Sequence, residues 1–322
     1  MSGYWGGAKT AAVSLRHTVR VLLLVNSTAS SVTPRGRVVI QKALSADHEV
    51  TLAETSRRGH ATRLARGAAA DGIELVVALG GDGTLNETAN GLAGTDTALA
   101  ALPGGSTNVF ARTLGLPNDP IEATGALLTA LDRGSIESVG LGSVNGRYFL
   151  FHVGMGFDAA VVKQVERRSA LKRYAGHPLF VYAGFATWFR HYDTKRPRMS
   201  VHLPDGDVVD DSYLTLCLNT NPYTFLGNRP LNVAPDAGLD RGLALVALRT
   251  LSFGPTLGII ASALGSGQRL RHHPKVAYRH DLTSLRVEGY GPFPYQVDGD
   301  YLGEVDHLDL KHEPDVLRLV VP

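Results

Sequence analysis

"LVVALGGDGTLNETANGLAG", residues Leu75 to Gly94, decides how the first part of this chain folds. An apolar run ends in Gly80-Gly81-Asp82-Gly83-Thr84, and a helical amphipathic pattern begins at Leu85. Glycines at the end of a buried strand, directly before a helix, let the backbone and the helix N-terminus approach a phosphate group. The stretch therefore predicts a strand, a phosphate-binding turn and a helix.

The same alternation of strand and helix surrounds this stretch. Apolar strands are predicted at Val19–Asn26, His48–Thr55, Ile73–Gly80 and Thr97–Gly104, and a helical pattern follows each of them. This order favours a doubly wound, mostly parallel sheet with helices on both faces. We predict an α/β N-terminal domain over residues 19–138, preceded by a flexible tail at 1–18.

From about Ser135 the pattern of predicted strands and helices changes. Short β-rich runs with turn signals between them dominate, and helical patterns appear only at 159–176, 177–192 and 254–265. Short strands separated by turns are typical of antiparallel sheets. We predict a larger, mostly antiparallel β-sandwich C-terminal domain over residues 139–322.

Bulk composition excludes some classes of protein. The 322 residues carry a formal net charge of +2, too mild to imply a nucleic-acid partner, and none is predicted. The single cysteine, Cys217, lies in the apolar run "YLTLCLNT" and is predicted to be a buried core thiol, which suits a reducing cytoplasm. No window reaches the length of uncharged apolar sequence that a membrane span needs.

The opening turn carries a carboxylate as well as glycines. Asp82 beside phosphates is repulsive unless a divalent cation lies between them, so it favours a Mg²⁺-nucleotide. Thr84 is predicted to cap the helix or to bond a phosphate oxygen. The alternative is an ordinary strand-loop-helix turn in which Asp82 is the N-cap. No Walker A lysine is present, which excludes a P-loop enzyme.

A second glycine-rich turn has the same arrangement. "LPGGSTNVFART", Leu102–Thr113, follows a buried strand, opens a predicted helix and adds polar side chains at Ser106, Thr107 and Asn108. The carboxyl ends of neighbouring parallel strands share one edge of the sheet, where ligands bind. The two turns are therefore expected to face one crevice.

These motifs, with three others, resemble the catalytic domain of diacylglycerol kinases, sphingosine kinases and bacterial lipid kinases. The matching segments are "GGDGTLNE" at 80–87, the "PGGSTN" turn at 103–108, "TSRRGHA" at 55–61, "GMGFDAAVV" at 154–162 and "QVDGDYLG" at 296–303. The Gly-Gly-Asp-Gly element alone is also found in NAD kinases. Five motifs in order, over nearly the whole chain, make the resemblance specific.

The resemblance implies an ATP-dependent lipid kinase that uses Mg²⁺ and phosphorylates a hydroxyl of diacylglycerol or a related lipid. It implies that Asp298 is the base, that Asp300 supports it, and that Asp82 and Asp158 hold the metal. The residues implied to contact ATP are Asn26, Thr28, Thr55, Gly80, Gly81, Asp82, Gly83, Thr84, Asn86, Glu87, Gly105, Ser106, Thr107 and Asn108.

The chain departs from the family pattern in three places. The usual Asn-Pro after the first strand is Asn26-Ser27, and the carboxylate that follows the family's Asn is Val109 here. In the segment that resembles the family's structural metal loop, Arg241 and Ala244 replace carboxylates, so Asp240 is left without them. We predict that this second metal is absent.

Other interpretations stay open from the sequence. One is an NAD kinase-like enzyme, and another is a nucleotide- or lipid-binding protein that has lost catalysis, which Val109 would favour. Asp298-Gly299 could also be a plain hairpin turn. The basic stretches "ERRSALKR" and "RLRHHPK" are either solvated faces or contacts to an anionic membrane surface. The expected location is the cytoplasm or the inner face of the plasma membrane, and a homodimer is left open.

Overall fold

A computed structural model describes residues 18–167, 186–187 and 192–322 of the chain. The described residues form two compact units, one comprising 18–140 and 314–322 and the other falling within 141–313. The second domain predicted at 139–322 therefore differs at its C-terminal end, because residues 314–322 belong to the first unit, where Leu319 pairs with Leu99.

The first unit is an α/β domain with a parallel sheet in the order β2-β1-β3-β4. Beyond β4, Leu319 near the C-terminus pairs in parallel with Leu99. The elements of this unit are, in chain order, β1 (Arg20–Val25), α1 (Pro34–Leu44), β2 (Glu49–Glu54), α2 (His60–Ala70), β3 (Leu75–Gly80), α3 (Asp82–Leu92), β4 (Ala98–Pro103), α4 (Val109–Thr113) and α5 (Pro120–Asp132).

Burial explains the order of these strands. All residues of β3 and β4 are buried, as expected of central strands covered by helices on both faces. The strand β2 lies at the edge, and its residues are half-buried or exposed. The apolar strands are therefore in the centre and the polar one at the rim.

The second unit is built from antiparallel strands. The pairs β13-β14, β10-β13, β10-β7, β15-β7, β15-β8 and β15-β16 are all antiparallel. The remaining elements of the chain are β5 (Ile136–Val144), β6 (Arg147–Phe149), β7 (His152–Gly156), α6 (Phe157–Glu166), β8 (Met199–His202), β9 (Val208–Ser212), β10 (Leu214–Leu218), β11 (Thr224–Leu226), β12 (Arg229–Leu231), β13 (Leu243–Leu248), α7 (Phe253–Ala263), a 3₁₀-helix (Gln268–His272), β14 (Val276–Leu282), β15 (Ser284–Val297) and β16 (Asp300–Val320).

The predicted fold class is confirmed: an α/β domain with a mostly parallel sheet is joined to a larger antiparallel β domain. Cys217 is a buried core thiol as predicted, and its burial raises the pKa of the thiol. Two boundaries differ. The helix predicted from Leu85 begins at Asp82, and the helix predicted in the second glycine turn is only Val109–Thr113.

Part of two predicted helices falls outside the described residues. The helix predicted at 159–176 appears as α6 up to Glu166. Of the helix predicted at 177–192 only residues 186–187 and 192 are described, and most of "ERRSALKR" lies outside the described residues. Among the residues that are described, no helix combines the length and the apolar character that crossing a bilayer requires.

Candidate active site

The two glycine turns of the first unit pack directly against each other. The N–H of Gly104 donates to the carbonyl of Gly80 at 2.8 Å. A Cβ at Gly104 would lie 2.8 Å from the Cα of Gly80, and one at Gly105 would lie 2.8 Å from the Cα of Gly81. Side chains at these positions would separate the turns, so their glycines are required by loop packing whether or not a phosphate binds.

Gly83, in contrast, is not required by the packing of the turns. A Cβ built on it would meet nothing within 4 Å, and the residue is exposed at the start of α3. The N-cap of α3 is Gly81, with no side-chain capping bond, and not Thr84. Helix N-termini present N–H groups and a positive dipole end, and both attract anions. The amino end of α3 is therefore the part of this unit best suited to a phosphate.

Asp82 caps a helix, but not the one it belongs to. Its Oδ2 accepts a hydrogen bond from the N–H of Val109 and its Oδ1 from the N–H of Phe110, both at 3.0 Å. The carboxylate thus accepts hydrogen bonds from the first turn of α4, whereas Asp82 itself lies in the first turn of α3. Burial lowers the pKa of Arg112, and the charge of Asp82 raises it in part.

Glu87 likewise accepts hydrogen bonds from the start of a neighbouring helix, α2. Its carboxylate accepts from the N–H of Gly59 at 2.8 Å and from the N–H of Ala61 at 3.1 Å. Gly59, the N-cap of α2, has a left-handed φ of 76° and no capping side chain of its own. The Glu of the predicted nucleotide motif therefore holds the start of α2 and the "TSRRGHA" segment. The neighbouring Asn86 is buried, and its carbonyl accepts from the side chain of Asn90.

The loop after β1 is tied to the same edge. The Asn26 side-chain amide donates to Thr84 Oγ1 at 3.0 Å, and its Oδ1 accepts from the N–H and hydroxyl of Thr28. Thr55 follows β2, and its N–H donates to the carbonyl of Val25. The predicted residues of the first three strand ends thus lie around one edge of the parallel sheet.

Asn108 orients the second glycine turn. It is buried, has a left-handed φ of 51°, and its side chain bonds to Gly105 through both the N–H (2.7 Å) and the carbonyl (2.9 Å). Its amide also donates to Asn118 at 2.8 Å. Ser106 is exposed beside it and Thr107 is half-buried. Asn108 thus shapes the turn, and Ser106 is the more accessible of the predicted polar contacts.

The sequence analysis missed Ser31. Its N–H donates to the carbonyl of Gly104 at 2.8 Å, and its hydroxyl donates to the carbonyl of Gly105 at 3.1 Å. It lies in a polar loop between β1 and α1, seventy-four residues before Gly105. No local signal in that loop marks Ser31 apart from the other serines.

In the second unit, Asp298 is buried in a two-residue hairpin turn. Asp298 and Gly299 have φ angles of 49° and 85°, and Val297 pairs with Asp300 across the turn. The Asp298 carboxylate accepts from the N–H groups of Leu150, Phe151 and His152 at 2.7, 3.0 and 3.0 Å. Asp298-Gly299 is thus the turn of a hairpin, and the Asp298 side chain also binds the connection between β6 and β7.

Asp158 lies in a buried polar network within the same unit. Its Oδ1 accepts from the Tyr223 hydroxyl at 2.5 Å and its Oδ2 from the Gln296 amide at 2.8 Å. Gln296 Oε1 accepts from the N–H of Gly299 at 2.7 Å. Burial raises the pKa of Asp158, and the two hydrogen bonds oppose that rise. The network links α6 to the turn that carries Asp298.

The glycines of "GMGFDA" are explained by this network. A Cβ on Gly154 would collide with the Asp158 carboxylate, and Gly156 has a left-handed φ of 73°. The sequence analysis did not single out Gln296 or Tyr223. Gln296 directly precedes the quoted Val-Asp-Gly motif, so its position was a usable signal, whereas Tyr223 carried none.

His152 is a buried, neutral histidine beside this network. Its ring lies 4.2 Å from that of Tyr223, centroid to centroid, and burial lowers the pKa of the imidazole to about 3. Within the described ranges its Nδ1 has no hydrogen-bond partner. His152 is therefore uncharged at neutral pH.

The other predicted carboxylates have local partners. Asp300 pairs with Arg147 at 3.2 Å, and Asp240 lies 3.7 Å from the Arg241 guanidinium. Over residues 18–167, 186–187 and 192–322, no cluster of three or more His, Cys, Asp or Glu side chains is arranged to hold a metal ion.

A cavity of about 690 Å³ lies at the opposite end of the parallel strands. It is bordered by the first residues of β3 and by the residues before β1 and β4, away from the glycine turns. The residues that line it include Arg66, Gly72, Glu74, Asp96, Thr97 and Arg318. It is a concave surface of this unit, and its lining carries charges of both signs.

Comparison with known proteins gives consistent results. The family profile of the diacylglycerol kinase catalytic domain matches residues 20–160. A diacylglycerol kinase of Staphylococcus carnosus is 29% identical over 286 residues, covering 86% of this chain and 87% of its own. One from Staphylococcus aureus strain JH9 is 30% identical over 283 residues, covering 85% and 84%.

A solved structure agrees on the fold. The crystal structure of a diacylglycerol kinase from Bacillus anthracis superposes with a TM-score of 0.68 and covers 94% of this chain and 97% of its own, at 20% identity. At that identity the likeness supports the fold alone.

The capping role of Asp82 predicts a loss of stability in Asp82→Asn. An amide oxygen can replace one carboxylate oxygen, but the NH₂ group then faces the second N–H donor of α4. We expect a loss of about 1–3 kcal/mol in the free energy of unfolding, measured by chemical denaturation without nucleotide or metal. Asp47→Asn, at an exposed turn, is the control and should change nothing. Equal stability of the two variants would contradict the capping role.

His152 predicts a specific acid sensitivity. Its pKa is about 3 in the folded protein and near 6.5 unfolded, so below pH 6.5 the unfolded chain binds the proton more tightly. Above pH 6.5 protonation of His152 does not lower the free energy of unfolding. As the pH falls from 6.5 towards 3, the unfolded chain takes up this proton and the free energy of unfolding decreases. Between about pH 7 and pH 5, wild type should lose about 2 kcal/mol more than His152→Phe. If the free energy of unfolding changed with pH in the same way in both proteins, the low pKa of His152 would be refuted.

Proposed function

Because the chain belongs to the diacylglycerol kinase family of kinase-type enzymes, we propose that it transfers the γ-phosphate of ATP to a hydroxyl of diacylglycerol or a related lipid. The observation that carries the proposal is the pair of packed glycine turns beside the uncapped amino end of α3. Such a site binds phosphates through backbone N–H groups and needs no lysine.

The nucleotide is proposed to lie at the edge formed by the strand ends of the first unit. The amides of Gly81, Asp82 and Gly83 would contact phosphate oxygens, and Ser106 offers an exposed hydroxyl close by. Asn26, Thr84, Glu87 and Asn108 are proposed to act by holding these loops in place, because their side chains bond to loop atoms.

Mg²⁺ is the proposed cation, and Asp82 is its proposed protein ligand. Each carboxylate oxygen can accept more than one contact, so the bonds to Val109 and Phe110 are compatible with this role. Asp158 fits less well, because it is buried and its burial raises the pKa of the carboxyl, which disfavours the ionised form that binds a cation. When bound, Mg²⁺ would neutralise charge that develops on the transferring phosphoryl group.

Asp298 is the proposed base on the acceptor side. Its three N–H donors favour the ionised carboxylate, which is the state that can accept a proton. These donors also weaken it as a base. Phosphoryl transfer through a loose transition state leaves the attacking hydroxyl largely protonated until late, so orientation and a modest base are sufficient. The Gln296 bond to Gly299 would keep the turn in position.

The test is a transfer assay with purified protein, Mg-ATP and candidate acceptors in detergent micelles. The proposal predicts a phosphorylated lipid with diacylglycerol or another hydroxyl lipid, and loss of product when the cation is chelated. Phosphorylation of NAD with no lipid product would favour an NAD kinase-like enzyme. Nucleotide or lipid binding without any product would favour a binding protein that has lost catalysis.

Gly83→Val tests where the phosphates bind. A valine side chain has room in the folded protein because a Cβ there meets nothing within 4 Å. It would occupy the space above the amino end of α3, so we expect ATP binding and transfer to fall by at least about tenfold, with an unchanged melting temperature.

Gly125→Val is the matched control for this substitution. Gly125 is an exposed helical glycine in α5, and a Cβ there also meets nothing within 4 Å. Its variant should retain wild-type activity. Transfer at the wild-type rate by Gly83→Val would exclude the proposed phosphate site while leaving open a lipid kinase with its nucleotide elsewhere.

A further inference from the structure

One face of α7 exposes a row of large apolar side chains. Phe253, Leu257, Ile260 and Leu264 are 57%, 46%, 44% and 40% exposed. Their spacing of four, three and four residues places them on one side of the helix. We call these four residues the α7 apolar face.

The opposite side of α7 is fixed to the second unit. Thr256, Ile259 and Ala263 are buried, and the last two join a core cluster with Leu270 of the following 3₁₀-helix. The side-chain amide of Asn232 also donates to the carbonyl of Gly265, just after the helix. The apolar face is therefore presented by a helix with a fixed orientation.

The helix lacks the polar outer side that a solvated surface helix has. Residues 250–268 contain no Asp, Glu, Lys or Arg. A helix that is apolar all round is normally buried in a protein or in a membrane. Isolated exposed apolar residues need no explanation, but four on one face of an uncharged helix indicate a binding surface.

Cationic residues lie at both ends of this helix. Arg249 precedes it, and Arg269, Arg271 and Lys275 follow it. The N–H of Arg249 donates to the carbonyl of Lys275 at 2.9 Å, which brings the two ends of the segment together. Over residues 249–280 the chain has no Asp or Glu. Arg271 forms an ion pair with Asp236, whereas Arg249, Arg269 and Lys275 are exposed.

We propose that the α7 apolar face docks on an anionic lipid bilayer, with Phe253, Leu257, Ile260 and Leu264 inserted at the interface and the flanking cations on lipid headgroups. Apolar side chains bordered by Lys and Arg are the pattern of helices that lie in the plane of a membrane surface. A second copy of the chain is a less suitable partner, because a two-fold contact would place these cations near their own copies.

This docking surface goes beyond the proposed function and does not depend on it, since membrane binding requires neither nucleotide nor turnover. The experiment is therefore sedimentation of the full chain with vesicles, without ATP. One set of vesicles is pure phosphatidylcholine, and the other contains phosphatidylglycerol as well. The wild type should bind the anionic set, and added salt should weaken binding because it screens the cations.

The variants separate apolar insertion from charge. Leu257→Ser/Ile260→Ser should weaken binding to anionic vesicles by about tenfold for each side chain removed. Val38→Ser/Ile121→Ser is the matched control: both residues are helical and 46% exposed, and binding should not change. Arg269→Gln/Lys275→Gln should reduce the preference for anionic vesicles and its salt dependence.

Two outcomes would overturn the proposal. One is equal vesicle binding by wild type and Leu257→Ser/Ile260→Ser, with both proteins folded by circular dichroism. The other is no vesicle binding together with a dimer in light scattering that Leu257→Ser/Ile260→Ser dissociates, which would make the α7 apolar face a self-association surface. Transfer to lipids in detergent micelles should persist in this variant, so a failure of docking is distinguishable from a failure of the kinase proposal.

Discussion

Unpaired backbone N–H groups at the starts of helices and in tight loops need acceptors, and in this chain motif carboxylates supply them. Asp82 accepts from the first turn of α4, Glu87 from the start of α2, and Asp298 from the two residues between β6 and β7 and the first residue of β7. A charged acceptor makes these hydrogen bonds stronger than neutral ones. The loops around both candidate centres depend on them.

The consequence for function is preorganisation. The glycine turns pack against each other only because Gly104 and Gly105 lack side chains, and Asn108 then sets the path of the second turn. Backbone groups held in advance can bind phosphates without rearrangement, and this is how electrostatic stabilisation becomes effective. Acidic residues in these motifs therefore have a structural role that is measurable apart from any cation.

Much of the fold follows from the sequence, whereas the side-chain partners do not. The apolar runs of β3 and β4 and the glycines after them predict buried parallel strands with turns at one edge, because burial and backbone freedom are local properties. That Asp82 caps α4 depends on a contact across twenty-seven residues, and Asp298 reaches back almost one hundred and fifty. Tyr223 and Ser31 were missed because no local pattern encodes such contacts, whereas Gln296 directly precedes a quoted motif and could have been considered.

The central claim is that phosphates bind at the carboxyl ends of the parallel strands of the first unit, and amide hydrogen exchange with and without Mg-ATP tests it most directly. The expected result is protection of the amides of 81–83 and 106–107. Protection of 72–75 and 95–97 instead, around the cavity at the other end of the same strands, would contradict it.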